Sequence, residues 1–88
     1  MSINDLPEET RLIQLAEESA ELAQAALKVI RARRGDTPIS EESARSNLLE
    51  EIADVFVCAD VLTTSADRLK IRAIRQRKKE RWELRIND

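Results

Sequence analysis

Leu15-Ala-Glu-Glu-Ser-Ala-Glu-Leu-Ala-Gln24 and Asn47-Leu-Leu-Glu-Glu-Ile-Ala-Asp-Val55 are two stretches built on one pattern. Each is rich in Leu, Ile and Ala, and each carries two acids three residues apart: Glu18 with Glu21, and Glu51 with Asp54. At about 100° per residue, positions i and i+3 lie about 60° apart on a helix, so the two carboxylates of each pair point the same way. Two such helices laid side by side bring four carboxylates to one spot. Crowded like charges call for a cation. Four oxygen donors, in a chain without His, suit a hard ion such as Mg²⁺ or Mn²⁺.

Working outward from the first stretch, Asp5-Leu6-Pro7-Glu8 reads as a helix start, with Asp5 as cap, Pro in the first turn and Glu three residues after the cap. Leu12, Leu15, Leu22, Leu27 and Ile30, with Ala16, Ala23 and Ala26, continue a helical apolar stripe to about Arg33. Gly35 is a plausible C-terminal cap, and Gly35-Asp36-Thr37-Pro38 is the clear break. A second helix is expected from Ser40, with Glu41 and Glu42 in the first turn, where the helix dipole favours acids. Between Ile52 and Leu62 only Asp54 and Asp60 interrupt an apolar run, a pattern that predicts burial on most sides. A turn is expected near Thr63 to Asp67, capped by Ser65 or Asp67, and then a third helix carrying Leu69, Ile71 and Ile74. No strand alternation is visible. The expected fold is all-α: one domain over residues 1–88, a bundle of about three helices.

Composition narrows the function classes. The chain has 88 residues, and Phe56 and Trp82 are its sole aromatics, so the core must come from Leu, Ile, Val and Ala. A chain this short is near the lower limit for burying enough apolar surface alone, and a homo-oligomer is expected. Cys58, alone and within an apolar run, reads as a small buried hydrophobe in a reducing, cytoplasmic setting. Neither a signal-like segment nor an apolar run near 18 residues is visible, so no membrane role is expected. Charge is uneven: residues 1–67 hold 14 acids against 6 bases, and residues 68–88 hold 9 bases against 3 acids.

Acids on helices usually face solvent, and Glu8, Glu9, Glu41 and Glu42 need no other reading. The inner set differs because its spacing recurs on two helices and because Asp54 falls where the apolar pattern predicts burial. An ionised carboxylate in a dry site costs several kcal/mol unless it is paired or bound to metal. Each pair also lies in a longer polar ribbon: Gln14, Glu18, Glu21 and Lys28 on the first helix, and Asn47, Glu51, Asp54 and Cys58 on the second. No Lys or Arg stands four residues after any of the four acids, the spacing expected of surface ion pairs.

The string Glu17-Glu18-Ser-Ala-Glu21 followed by Glu51-Ile-Ala-Asp54 resembles the EExxE…ExxD signature of the MazG-like, all-α nucleoside triphosphate pyrophosphohydrolases. The likeness covers roughly residues 12–62. It departs in the interval of 29 residues between Glu21 and Glu51, which is long for the family, with the extra length assigned to the Arg33–Glu42 connection. The resemblance implies that Glu18, Glu21, Glu51 and Asp54 hold Mg²⁺ ions that also grip a triphosphate, cleaved to monophosphate and pyrophosphate. Glu17 matches the extra Glu of the motif and is the candidate to orient or deprotonate the attacking water. With no His in the chain, the base must be a carboxylate or a metal hydroxide.

Lys28, Lys78 and Arg81 are the candidates for phosphate contacts, Trp82 for stacking on a base or packing on a neighbouring helix, and Asn47 for a hydrogen bond to the nucleotide or a bound water. Asp60, about 120° from Asp54, suits a buried pair with an Arg. The resemblance implies a homodimer or homotetramer in which helices of two or more subunits complete a four-helix-type bundle, with the site beside the interface. Two rival readings come from other classes. The basic third helix suits a nucleic-acid-binding or antitoxin-like module, and a purely structural helical oligomer would leave the acids solvated or salt-bridged.

Overall fold

Pro7 sets where the first long helix begins. Its backbone is extended (φ −56°, ψ 146°), so it stands as the N-cap, outside the first turn, and the helix runs Glu8–Arg34, α1. The computed structural model describes all 88 residues. Asp5, expected to cap α1, does not: its carboxylate accepts the Ser2 N–H at 2.7 Å and closes a short 3-10 turn at Ile3–Asp5, capped by Ser2. Gly35 ends α1 in the left-handed conformation at φ 74°, where a side chain would be strained. The Gly35 N–H reaches the Ala32 carbonyl and the Asp36 N–H the Arg31 carbonyl, satisfying two orphan acceptors.

Residues 35–40 return the chain. Ser40 then caps α2, Glu41–Leu62, accepting the Ser43 N–H at 3.1 Å. Arg33 Nε and Glu41 Oε1 meet at 2.5 Å across this connection, an exposed ion pair of modest value. A second break follows at Thr63 and Thr64, both extended, and α3 runs Ser65–Ile86. Its cap is Thr64 rather than Ser65 or Asp67. The Thr64 hydroxyl accepts the Asp67 N–H at 3.1 Å while Asp67 Oδ2 accepts the Thr64 N–H at 3.0 Å, so Asp67 is the reciprocal member of a capping box. That backbone N–H, and then the Thr64 hydroxyl, hold the Asp67 carboxyl below its usual range. Thr64→Ala is expected to fray the first turn of α3 at a cost of about 1 kcal/mol, seen as lost helical signal in far-UV circular dichroism. An unchanged spectrum and melting point would count against the box.

The chain is all-helical, with three helices and no strand, as expected. Its helices do not form a three-helix bundle within one chain: α1 and α2 pack as an antiparallel hairpin, and α3 leaves it. The radius of gyration is 16.4 Å and the envelope 43 × 43 × 17 Å, against roughly 12 Å for a compact chain of this length. Inward positions on α1 follow the spacing 15, 18, 22, 25, 29, 32, and the buried set is Ala25 and Val29 with Ala44 and Cys58. These are small side chains that let two helices approach closely. Leu15, Leu22, Leu48, Ile52, Val55 and Leu62 are only half-buried around them.

With a single neighbour, α2 is not buried on most sides: Phe56 is 65% exposed and Val57 is exposed as well. Asp60 is exposed and lacks the expected Arg partner, since Arg33–Glu41 is the ion pair of this chain. A second stripe remains open on each helix, with Leu12 and Ile30 on α1 and Leu49 and Phe56 on α2. Counting 100° per residue, each stripe is centred more than about 100° round its helix from the acids. In an antiparallel pair the two stripes fall on one side of the hairpin and the acids on the other. No helix is long and apolar enough to cross a membrane.

Candidate metal centre

The packing of α1 on α2 brings Glu18, Glu51 and Asp54 together, with one carboxylate oxygen of each inside a span of 4.8 Å. Glu18 occupies the inward spacing of α1 between Leu15 and Leu22, and Glu51 lies one residue before the half-buried Ile52 of α2. Both are therefore half-buried, and Oε2 of each is shut off from solvent with no hydrogen-bond partner. Burial falls on these two rather than on Asp54, which is exposed. The apolar run around Asp54 predicted otherwise. A lone neighbouring helix covers only one side of α2, and Asp54 stands at the rim of that contact.

Gln14 Nε2 donates to Glu18 Oε1 at 2.9 Å, which leaves Oε2 free. Burial is the main cause that pushes the Glu18 carboxyl above its usual range, followed by the charges of Glu21 and Asp54; the Gln14 bond opposes them. Burial likewise pushes the Cys58 thiol up, helped by the charges of Glu18 and Asp54, so Cys58 is the buried, inert hydrophobe expected of it. A carboxyl raised above its free value binds its proton more tightly in the folded chain. Its contribution to stability is present below the usual 4.5 and is lost as pH rises through the raised range. Metal-free protein is expected to lose this contribution as pH rises above the usual carboxylate range, Glu18→Gln to flatten that part of the profile, and added Mg²⁺ to offset the loss. Melting curves across pH, with and without Mg²⁺, check all three.

A cleft of about 390 Å³ opens beside the acids, lined by Ile3, Leu6, Thr10, Arg11 and Gln14 from the N-terminal side of the chain and by Asp54, Val57 and Val61 from α2. Arg11 is its single cation. The Arg11 guanidinium donates to the Leu6 carbonyl at 3.1 Å and to the Val61 carbonyl, tying the open end of the hairpin. This residue escaped the sequence reading, though a signal was present: Arg11 stands in register with Leu15, Glu18 and Leu22 on the inward stripe.

The other candidates separate by element. Glu21 is exposed and outside the three-oxygen cluster, although its charge reaches Glu18. Glu17 and Lys28 are exposed on α1, and Asn47 is half-buried one helical turn before Glu51. Lys78, Arg81 and Trp82 are exposed on α3. Lys78 and Trp82 line a shallow groove along that helix, Arg81 does not, and no residue of α3 lines the acid cleft of its own chain. Compared with protein-family models, curated proteins and solved structures, the chain matches none of them.

Proposed function

We propose that the chain is a Mg²⁺-dependent nucleoside triphosphate pyrophosphohydrolase, releasing monophosphate and pyrophosphate. One observation carries the reading: Glu18, Glu51 and Asp54 each bring a carboxylate oxygen within 4.8 Å of the others, in a cluster where Oε2 of Glu18 and of Glu51 is buried without a hydrogen-bond partner. Such oxygens are costly in a helix contact unless something neutralises them. An all-oxygen set without His or thiolate fits Mg²⁺ or Mn²⁺. The EExxE…ExxD resemblance supports the same residues and supplies the reaction class.

In this reading Glu18, Glu51 and Asp54 hold the ion, and Glu21 extends the anionic wall toward solvent. The bound cation supplies charge neutralisation of the phosphates and acidification of water. Gln14 fixes the Glu18 carboxylate through its 2.9 Å hydrogen bond, so that one oxygen is committed and the other free. Glu17, exposed on the next position of α1, orients or deprotonates the attacking water. Lys28 and Asn47 flank the acids on their own helices and contact the substrate, and a homo-oligomer completes the bundle. Glu17→Gln is expected to slow turnover while leaving stabilisation by Mg²⁺ intact, which separates water activation from metal binding.

The deciding experiment incubates the purified chain with a panel of standard and modified nucleoside triphosphates and Mg²⁺, following pyrophosphate and monophosphate together. Turnover of none of them overturns the reading. A nucleic-acid-binding role is the second reading, favoured by the exposed basic α3. It predicts salt-sensitive binding to DNA or RNA that is indifferent to Glu51.

A further inference from the structure

We infer that Arg11 is the specificity residue of this chain, and that it selects a nucleobase edge carrying two adjacent hydrogen-bond acceptors: O6 and N7 of guanine, or O2 and N3 of cytosine. The placing of the phosphates rests on the pyrophosphohydrolase reading; the choice of base rests on the chemistry of the cleft.

The surroundings of the acids differ at their two ends, and this orients the substrate. Lys28 and Asn47 stand on the side of the acids nearer the connection at residues 35–40, while the cleft lies toward the open end of the hairpin. The β- and γ-phosphates belong with the cation and the amide. The cleft, walled by Ile3, Leu6, Val57 and Val61, suits the apolar faces of a base. Arg11 and Glu18 are two helical turns apart on α1, about 10 Å. A nucleotide covers such a span between its α-phosphate and the far edge of its base.

Selection of the base falls to one side chain. Neither aromatic residue, Phe56 or Trp82, lines the cleft, so branched aliphatic walls hold the base, and these accept either ring size. Gln14 is committed to Glu18 at 2.9 Å, and Glu18 and Asp54 serve the ion. The Thr10 hydroxyl donates or accepts alike and discriminates little. Arg11 remains. Its guanidinium is fixed in place by the Leu6 carbonyl, which accepts from Nε at 3.1 Å, and by the Val61 carbonyl, which accepts from Nη1. Nη2 has no partner in the chain and is not shut off from the cleft.

The free N–H groups of this oriented fork donate and never accept. They match two adjacent acceptors and reject an edge that sets a donor beside an acceptor. Guanine offers O6 with N7, and cytosine offers O2 with N3. Adenine places its N6 amino group beside N7, and thymine places N3–H beside its carbonyls, so each leaves one prong of the fork unpaired. A polar group left unpaired in a cleft is what makes such selection steep.

The wild-type chain tests the inference directly. With Mg²⁺, kcat/KM for dGTP, dCTP or both is expected to exceed that for dATP and dTTP by about 10- to 100-fold, the discrimination one good two-pronged contact carries. Two analogues read the acceptors singly: 7-deaza-dGTP lacks N7 and 3-deaza-dCTP lacks N3, and each is expected to fall to the level of dATP. Arg11→Lys, with a single ammonium in place of the fork, is expected to collapse the preference. If that variant fails to fold, the analogues still decide. Equal rates for the four bases, a preference for dATP or dTTP, or a deaza analogue turned over like its parent overturns the inference. A chain that turns over no triphosphate refutes the enzyme reading instead. Melting with the four deoxynucleosides, which carry no phosphate, then decides the cleft. Stabilisation by deoxyguanosine or deoxycytidine above deoxyadenosine and thymidine upholds the role of Arg11, and equal or absent stabilisation overturns it.

Discussion

Under the proposed pyrophosphohydrolase function, Glu51→Gln is expected to lower Mg²⁺-dependent pyrophosphate release by more than about 100-fold, the scale on which even outer-shell partners of a metal act. The substitution keeps the shape of the side chain and removes one of the three charges that meet within 4.8 Å. It also replaces an unpartnered buried oxygen with an amide that no longer needs a cation. The fold should not suffer for it. With one like charge fewer in the cluster, the metal-free melting temperature is expected to hold or rise, and the extra stabilisation by Mg²⁺ to disappear. Paired melting curves with and without Mg²⁺, alongside the activity assay, separate this outcome from simple unfolding. Full activity in the variant would sink the metal assignment.

Arg11→Ala is expected to be the most destabilising single change in the hairpin. Arg11 donates to the Leu6 carbonyl, 5 residues back, and to the Val61 carbonyl, 50 residues on, and it is half-buried while doing so. Losing charged donors to two carbonyls costs about 2 kcal/mol or more, which in a chain of this size moves the melting temperature by roughly 10 °C. Arg11→Lys should recover only part of the loss, because one ammonium cannot span both acceptors as the planar guanidinium does. A shift of a degree or less in the alanine variant would show that the open end is held by other contacts. Hydrogen exchange at Val57 to Val61 gives the local reading of the same effect, since the tie closes that end of α2.

Much of this molecule is legible in its residues because helix signals are local. Gly35 and Ser40 mark their helix ends by side-chain chemistry that acts over three or four positions. Two ends went astray for equally local reasons. The Ser2 N–H takes the Asp5 carboxylate that was expected to cap α1, and Thr64 outranks Ser65 because Asp67 can answer it reciprocally. The meeting of Glu18 with Glu51 and Asp54 was also legible, since matched i, i+3 spacing on two helices that pack together puts the acids on facing stripes.

Depth of burial was not legible. Ile52 to Leu62 reads as a core helix by pattern, yet Phe56 and Val57 face outward because pattern records what a helix would bury and not how many neighbours it has. Asp54 was misjudged as buried for that reason. Arg11 was missed because its partners are backbone carbonyls, which every residue possesses and no sequence marks.

From its sequence alone, then, this protein is three helices with two matched acidic steps and a charge divided between hairpin and tail. These properties follow from contacts within a few residues. Which acids are half-buried, which cation ties the hairpin, and that α3 leaves its own chain unpartnered were decided by tertiary packing. Each depends on which surfaces meet across thirty or more residues, and small side chains at Ala25, Val29, Ala44 and Cys58 decided that meeting.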